Sequence, residues 1–114
     1  MTNNLTKLLN LHFKDPKLFE QIFIHRSYLN EVKSQKTSNE RLEFLGDAIL
    51  SLVVSSELFK IRSKDNEGDL TNLRAYIVKT KSLAAAAGKL ELGKYLLLSK
   101  GEEKDTGKAR QYIL

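Results

Sequence analysis

Glu43 and Asp47 are the residues of this chain whose types and spacing are best suited to chemistry. They stand four positions apart, so on a helix of 3.6 residues per turn their side chains project from one face, and Glu40 adds a third acid roughly on the same side. Like charges at this spacing repel each other, so a helix has no structural reason to place them together. Water or a cation must therefore balance the charge.

A divalent metal ion is the cation that this pair of carboxylates suits. Mg²⁺ prefers oxygen ligands, uses one or two protein carboxylates and keeps several waters, which a phosphodiester oxygen can displace. The metal makes its bound water a better nucleophile and stabilises charge on the phosphorus oxygens and on the leaving group. The pair therefore indicates phosphodiester hydrolysis, while the structural alternative is the solvated acidic face of a long helix.

The neighbours of Asp47 favour the chemical interpretation. Asp47 follows Gly46 and stands between Leu45 and Ile49, close to the apolar stripe of the predicted helix. We therefore expect its carboxylate to be half-buried and to need a partner. Glycine inside a helix costs about 1 kcal/mol relative to alanine, which is easier to explain if another group packs closely against Gly46.

The element that must position these acids is a long amphipathic helix. Thr37 stands three residues before Glu40, a spacing that predicts a capping box, and the helical pattern continues to about Arg62. The residues predicted to form its buried stripe are Leu42, Leu45, Ile49 and Leu52, widened by Ala48, Val53 and Ser56.

Shorter helices are predicted on either side of the long one. Asp15 and Pro16 start a helix, and a short element follows at 25–28. Turn formers at 63–68 precede a helix that Gly68 or Asp69 can cap. An alanine-rich helix over 82–92 is expected to end at Gly93, and polar residues predict loops at 31–38 and 99–110. The residues predicted to be buried by the helix that starts at Pro16 are Leu18, Phe19, Ile22 and Phe23.

Composition favours one all-α domain spanning residues 1–114. The chain is 41% hydrophobic and 29% charged, which allows one modest core, and its Ala-, Leu-, Glu- and Lys-rich stretches favour helices over strands. A formal charge of +5 makes polyanions plausible partners, although many small soluble proteins are mildly basic without binding nucleic acid. The absence of cysteine excludes disulfides, and we expect a cytoplasmic protein without membrane association, since no signal sequence or membrane-length apolar stretch is present.

The stretch NERLEFLGDAIL at residues 39–50 resembles the signature helix of the ribonuclease III family. Other segments resemble the family in the same order along the chain, so the similarity covers nearly all of it. These segments are HRS at 25–27, EGDLT at 67–71, LRA at 73–75 and KLELG at 89–93, followed by Gly101 and Glu102.

This resemblance implies an all-α ribonuclease III endonuclease domain that forms a homodimer and cleaves both strands of double-stranded RNA, as in the processing of rRNA and mRNA precursors. It implies Mg²⁺ as the cofactor, with Mn²⁺ as an alternative. On this chain Glu43 and Asp47 would be the catalytic carboxylates and metal ligands. Glu40 and Glu67 match accessory acids that support cleavage and the dimeric arrangement of the site.

Further positions match residues with binding roles in the family. Phe44 matches an aromatic residue that inserts into the partner subunit, although its periodicity is also consistent with core packing. Thr106, Gly107 and Lys108 replace the commoner Gly-Gly-Arg of a basic loop near the RNA backbone, so a solvated loop is the alternative there. The candidates for contact with the RNA backbone are Lys104, Lys108, Arg110 and Arg74.

Two features that the resemblance implies are missing from the sequence. The family's metal site takes two further carboxylates from a later helix, which would lie beyond Leu114, and the family's double-stranded-RNA-binding domain is absent. The apolar residues 112–114 look like the first turn of a helix that is cut short. We therefore expect a nuclease domain lacking its last helices, with a parent enzyme that is active and a chain that has little activity of its own.

The competing interpretation is a non-catalytic ribonuclease III-like domain that binds RNA or forms a structural part of a larger particle. Such relatives usually lose acids from the signature helix, whereas this chain keeps Glu40, Glu43 and Asp47. A generic helical binding module explains the charge and the periodicity but not the signature stretch, and we rank it last.

Overall fold

Helices form the regular structure of residues 2–32 and 36–104, which are the part of the chain that the computed structural model describes, with side chains at 4–32 and 36–102. Within this part there is no strand, only an isolated parallel β-bridge between Ile24 and Leu97. The prediction of an all-α fold is confirmed. None of the described helices is long and apolar enough to cross a membrane. The helices are α1 (Thr2–Leu8), α2 (Pro16–Gln21), α3 (Arg26–Val32), α4 (Glu40–Ile61), α5 (Glu67–Val78), α6 (Thr80–Lys89) and α7 (Lys100–Lys104), with a 3-10 helix at Leu92–Tyr95.

Asp15 and Pro16 start α2 as predicted. Asp15 is the N-cap residue, and its carboxylate accepts hydrogen bonds from the N–H groups of Lys17 at 3.0 Å and Leu18 at 3.4 Å. Pro16 occupies the start of the helix, where an N–H group would have no partner inside the helix. The local sequence is therefore sufficient to set where α2 begins.

The long helix α4 ends at Ile61, with Arg62 as its C-cap, as predicted. The predicted capping box is wrong, because Asn39 is the N-cap residue and Thr37 lies outside the helix. The side chain of Asn39 forms no cap hydrogen bond, because its amide donates to a carbonyl outside the helix.

Asn39 attaches the start of α4 to the chain between α2 and α3. Its side-chain amide donates to the carbonyl of Ile22 at 2.8 Å, and its N–H donates to the carbonyl of Ile24 at 2.9 Å. The side-chain amide of Gln21 also donates to the carbonyl of Ser38 at 2.9 Å. These long-range bonds decide the beginning of α4, which explains why a local capping pattern did not.

α5 begins at a different cap from the predicted one. The side-chain oxygen of Asn66 accepts a hydrogen bond from the N–H of Asp69 at 2.8 Å, so Asn66 is the N-cap residue. Gly68 and Asp69 lie within the first turn instead. Asparagine is among the most favourable N-cap residues. Because Asn66 precedes Gly68 and Asp69 along the chain, α5 begins before either of them.

α6 ends at Lys89, earlier than the predicted boundary, and the expected stop at Gly93 is wrong. Glu91 takes the left-handed backbone conformation, with φ of 53°, and Gly93 lies inside the 3-10 helix. The carboxylate of Glu91 lies 3.2 Å from Nζ of Lys94, and this hydrogen bond raises the pKa of Lys94 above its ordinary value. The left-handed conformation of Glu91 therefore turns the backbone two residues before Gly93.

Both segments predicted as polar loops contain helical residues. α3 extends to Val32, inside the predicted loop at 31–38, and α7 lies inside the predicted loop at 99–110. Residues 33–35 and 105–114 lie outside the described part of the chain, including the apolar residues 112–114 that suggested a helix cut short.

The hydrophobic core joins α1 and α2 to the segment around the 3-10 helix. Phe19 and Phe23 stand four positions apart and share the face that meets this core, with their rings edge to face at 5.6 Å. Leu18 and Ile22, which were also predicted to be buried, occupy the adjacent face and are exposed. The core residues are Leu5, Phe19, Phe23, Tyr95, Leu96 and Leu98.

α4 packs against α5, but most of its predicted buried stripe is exposed. Leu45 is 55% exposed, Ile49 53% and Leu52 69%, so the prediction that they are buried is wrong for this chain. Leu58, near the end of α4, is the buried residue of the helix. The physical reason is that α5 covers the side of α4 around Leu58, and no element in the described part of the chain covers the apolar face.

Candidate active site

The three acids predicted to form the site lie on the first two turns of α4. Glu40 and Glu43 are in the first turn and Asp47 follows one turn later, so their side chains project from neighbouring positions of one face. All three residues are exposed. The structure therefore brings together the acids that their spacing predicted, on a surface that water and ligands can reach.

The expectation that Asp47 is half-buried is wrong, because Asp47 is exposed. It lies within about 20° of Leu58 around the helix axis, since eleven residues make close to three whole turns. Asp47 therefore occupies the same side of α4 that α5 covers near Leu58, but at the other end of the helix. This side of the helix is open where the acids are.

Gly46 has no close neighbour in this structure. A Cβ atom added to it would meet nothing within 4 Å. The expectation that another group packs against Gly46 is therefore not met by the described residues of this chain. The glycine lies beside the exposed apolar face of α4 rather than in a tight contact.

Glu40 differs from the other two acids because neighbouring side chains balance part of its charge. Its Oε2 lies 3.9 Å from Nη1 of Arg26, and its Oε1 accepts a hydrogen bond from the hydroxyl of Ser38 at 3.2 Å. Within the described part of the chain, Glu43 and Asp47 have no hydrogen bond or ion pair to their carboxylates. These two carboxylates are therefore the ones available to an external ligand.

Arg26 is a residue of this site that sequence reasoning missed. It belongs to the HRS segment and lies at the start of α3, fourteen positions before Glu40. It reaches Glu40 because Asn39 bonds to Ile22 and Ile24 and so brings the starts of α3 and α4 together. No local pattern could have indicated this pairing.

Glu43 and Asp47 fit a hard divalent cation, as two exposed carboxylates four residues apart on a helix. They do not form a complete metal centre by themselves. Among the residues whose side chains are described, no group of three or more His, Cys, Asp or Glu residues is placed to hold a metal ion. A cation held here would keep most of its coordination sphere for water or for ligands from elsewhere.

Glu67, the fourth predicted acid, is not near the other three in this chain. It lies in the first turn of α5 and lines a cleft of about 390 Å³ between α4 and α5, together with Leu58 and Phe59. Asp47 precedes Leu58 by eleven residues, which corresponds to roughly 16 Å along a helix axis. Within one copy of the chain, Glu67 is therefore far from Glu43 and Asp47.

The predicted RNA-backbone residues are in different places. Arg74 is half-buried in the cleft between α4 and α5, where its Nη1 donates to the hydroxyl of Ser55 at 3.0 Å. Lys104 is the last residue of α7, and its side chain lies outside the described part of the chain. Lys108 and Arg110 lie outside it altogether.

Phe44 is not a core residue, so the alternative of core packing is wrong. Its side chain is 83% exposed, and it lines an apolar cleft of about 640 Å³ at the start of α4. The other residues that line this cleft are Gln21, Thr37, Glu40, Arg41, Leu42 and Leu45.

Known proteins are similar to this chain over its whole length. The family model described as Ribonuclease-III-like matches residues 15–114. Ribonuclease 3 of Caldanaerobacter subterraneus subsp. tengcongensis is 47% identical over 114 residues, which are 100% of this chain and 50% of the relative. Ribonuclease 3 of Halalkalibacterium halodurans is 49% identical over 115 residues, which cover 100% of this chain and 44% of the relative. The chain spans about half the length of the curated relatives it matches.

Two solved structures of the nuclease domain of ribonuclease III from Campylobacter jejuni share the fold. One, which describes structural flexibility in the region involved in dimer formation, has a TM-score of 0.90 and 42% identity, covering 99% of this chain and 76% of that chain. The other has a TM-score of 0.86 and 43% identity, covering 97% of this chain and 72% of that chain. With the signature stretch on α4 and the family match over residues 15–114, this likeness shows that the chain belongs to the ribonuclease-III-like family.

Proposed function

We propose that this chain carries part of the active site of a Mg²⁺-dependent endonuclease that cleaves double-stranded RNA. The observation that carries the proposal is the pair Glu43 and Asp47, which are exposed on one face of α4 and have no partner for their carboxylates in the described part of the chain. Like charges at this spacing repel each other weakly in water, and a divalent cation bound between them would neutralise them. Membership of the ribonuclease-III-like family supports the choice of RNA as the substrate.

Glu43 and Asp47 are the residues that would hold the cation and direct it toward a phosphodiester group. When bound, a divalent metal supplies an activated water and stabilises negative charge on the phosphate oxygens. Without a cation, the two carboxylates repel the RNA backbone, so we expect close approach of RNA to this face of α4 to depend on divalent metal. Mg²⁺ suits the oxygen ligands best, with Mn²⁺ as an alternative.

Glu40 has an accessory role in this proposal. Arg26 and Ser38 already contact its carboxylate, so it is less available to a metal ion than the other two acids. Its negative charge still contributes to the negative electrostatic potential at the first two turns of α4. Arg26, which is exposed, offers a positive charge beside the acids to an approaching phosphate.

The proposal includes a homodimer, in which a second copy covers the apolar surface at the start of α4. Phe44 is 83% exposed beside an apolar cleft, as expected of a residue that contacts a partner. A related nuclease domain from Campylobacter jejuni is described with a region involved in dimer formation. Glu67, which is distant from Glu43 and Asp47 in one copy, is then available to the site of the other.

A non-catalytic RNA-binding domain is the second candidate function. It is favoured by one observation, that the described side chains contain no group of three metal-ligating residues. The two candidates differ in whether Glu43 and Asp47 bind metal at all. Metal binding is therefore the first property to measure.

The test uses Mn²⁺ as a paramagnetic probe of the 114-residue chain. We expect Mn²⁺ to broaden the NMR signals of the amides at 43–47 first, and Glu43→Gln or Asp47→Asn to weaken this binding about tenfold or more, because each removes a charged ligand. Glu57→Gln removes an exposed acid from the last turns of the same helix and serves as the matched control. Broadening that is unchanged in both site variants would favour the non-catalytic candidate.

Cleavage is tested separately with long double-stranded RNA and Mg²⁺. We expect little cleavage by the 114-residue chain, because the two further carboxylates that the family resemblance implies are not in it. A longer chain that includes them should cleave, and Asp47→Asn should abolish that activity. Robust cleavage by the 114-residue chain that Asp47→Asn abolishes would show that the further acids are dispensable.

A further inference from the structure

The starts of α3 and α7 lie side by side because of the β-bridge between Ile24 and Leu97. The N–H of Leu97 donates to the carbonyl of Phe23 at 2.8 Å, and the N–H of His25 donates to the carbonyl of Leu97 at 3.1 Å. Each of the two chain segments then enters a helix, at Arg26 for α3 and at Lys100 for α7. This contact joins residues more than seventy positions apart, and the proposed mechanism does not use it.

Two side chains of α3 accept hydrogen bonds from consecutive backbone amides at the start of α7. The hydroxyl of Ser27 accepts from the N–H of Ser99 at 3.0 Å, and Oε2 of Glu31 accepts from the N–H of Lys100 at 2.7 Å. Ser27 and Glu31 are four positions apart, so they share one face of α3. The hydroxyl of Ser99 also accepts from the N–H of Glu102 at 3.2 Å. α3 therefore supplies acceptors to a helix start that would otherwise lack them.

His25 orients the Ser27 hydroxyl toward α7. The N–H of Ser27 donates to Nδ1 of His25 at 3.2 Å, and Oγ of Ser27 lies 2.8 Å from the same nitrogen. An imidazole nitrogen and a hydroxyl can each donate or accept, so the 2.8 Å contact is a hydrogen bond with either tautomer of His25. The oxygen of Ser27 has two lone pairs, so it accepts the N–H of Ser99 in either case, and the contact with His25 fixes where the hydroxyl lies.

A helix of five residues depends on such outside contacts, because isolated helices shorter than about 12 residues are marginal in water. α7 ends at Lys104, one of the basic residues expected at the RNA backbone. We propose that His25, Ser27 and Glu31 are positioning residues, which hold the start of α7 on α3 and so determine where Lys104 meets RNA. The statement about RNA rests on the proposed function, whereas the attachment of α7 does not.

Amide hydrogen exchange in the 114-residue chain tests the attachment. We expect Ser27→Ala to accelerate exchange at Ser99 about fivefold, and Glu31→Ala to accelerate exchange at Lys100 about tenfold or more, the values expected for a neutral and a charged acceptor. Exchange at Leu97 should stay unchanged, because its bond to Phe23 is independent of these side chains.

Three further variants separate the attachment from a general loss of stability. Glu31→Gln keeps an acceptor oxygen and should restore most of the protection of Lys100. Asn30→Ala changes an exposed neighbour on α3, and Glu20→Ala removes an exposed acid from α2, so neither should alter exchange in α7. Unchanged exchange at Ser99 and Lys100 in the Ser27 and Glu31 variants would overturn the proposal.

RNA binding tests the consequence for Lys104, using a fluorescent double-stranded RNA at a fixed Mg²⁺ concentration over a range of KCl concentrations. Removing the negative charge of Glu31 would by itself tighten binding to a polyanion, so positioning and simple electrostatics predict opposite signs. We expect Glu31→Ala to weaken binding and to flatten the dependence of log Kd on log salt, because phosphate contacts are lost. Glu20→Ala should leave binding unchanged or tighten it.

Two outcomes of this measurement contradict different statements. Equal or tighter binding by Glu31→Ala, in a chain whose α7 amides have become less protected, would overturn the positioning role toward RNA. Failure of the unaltered chain to bind double-stranded RNA at low KCl with Mg²⁺ present would contradict the proposed function, and the exchange rates would still decide whether α3 holds α7.

Discussion

The acids Glu40, Glu43 and Asp47 share one face of α4 but differ in what balances their charge. Arg26 and Ser38 contact Glu40, whereas the other two have no such partner in the described part of the chain. Spacing alone predicted the shared face, because it depends only on helical geometry. It could not predict the difference, because Arg26 reaches Glu40 only after Asn39 has joined the start of α4 to the chain before α3.

Gly46→Ala should stabilise the helix α4. Nothing lies within 4 Å of an added Cβ, and alanine is favoured over glycine inside a helix by about 1 kcal/mol, so Gly46→Ala should stabilise the 114-residue chain by up to about that amount. The melting temperature should rise by about 4 °C, measured by circular dichroism.

Gly88→Ala is the matched control for this change. Gly88 lies in α6, and its added Cβ also meets nothing within 4 Å. We expect a similar gain in stability, because the helical propensities are the same. If Gly46→Ala lowers the stability and Gly88→Ala does not, a group outside the described residues packs against Gly46.

Most of the helices followed from local sequence, but α7 and several helix ends did not. Asp15 and Pro16 set the start of α2 through bonds within four residues, so that boundary was predictable. The start of α4 depends on carbonyls seventeen and fifteen positions away, those of Ile22 and Ile24, and no local rule contains them. The same is true of α7, a helix that appears where the composition indicated a loop and whose start bonds to α3.

Asn66→Ala should weaken the start of α5. The Asn66 side chain accepts the N–H of Asp69 at 2.8 Å and caps α5, so its loss should lower the free energy of unfolding by about 1 kcal/mol. Urea titration followed by circular dichroism gives this quantity. Asn72→Ala, the same change at an exposed position inside α5, should have no effect or a slight stabilising one. Equal losses in both variants would mean that Asn66 does not act as the cap.

The sequence predicted which residues form an apolar face on α4 but not whether that face is covered. The hydrophobic periodicity predicts that residues such as Leu45, Ile49 and Leu52 share a side of the helix, and the helix that forms there confirms this. Burial depends on what packs against that side, and α5 covers a different one, around Leu58. Apolar faces of this kind on soluble proteins commonly mark an interface.

Self-association of the 114-residue chain therefore tests the proposed homodimer. If a second copy covers the start of α4, Phe44→Arg places a charge in an apolar contact and should raise the Kd for dimerisation about tenfold or more, measured by sedimentation velocity over a range of concentrations. Phe59→Arg makes the same change at a side chain that is 75% exposed near the other end of α4. It should have a much smaller effect, because Phe59 lies about four helical turns beyond the cleft that Phe44 lines. Equal effects of the two variants would indicate non-specific association along the whole helix, and unchanged association in Phe44→Arg would contradict an interface at the start of α4.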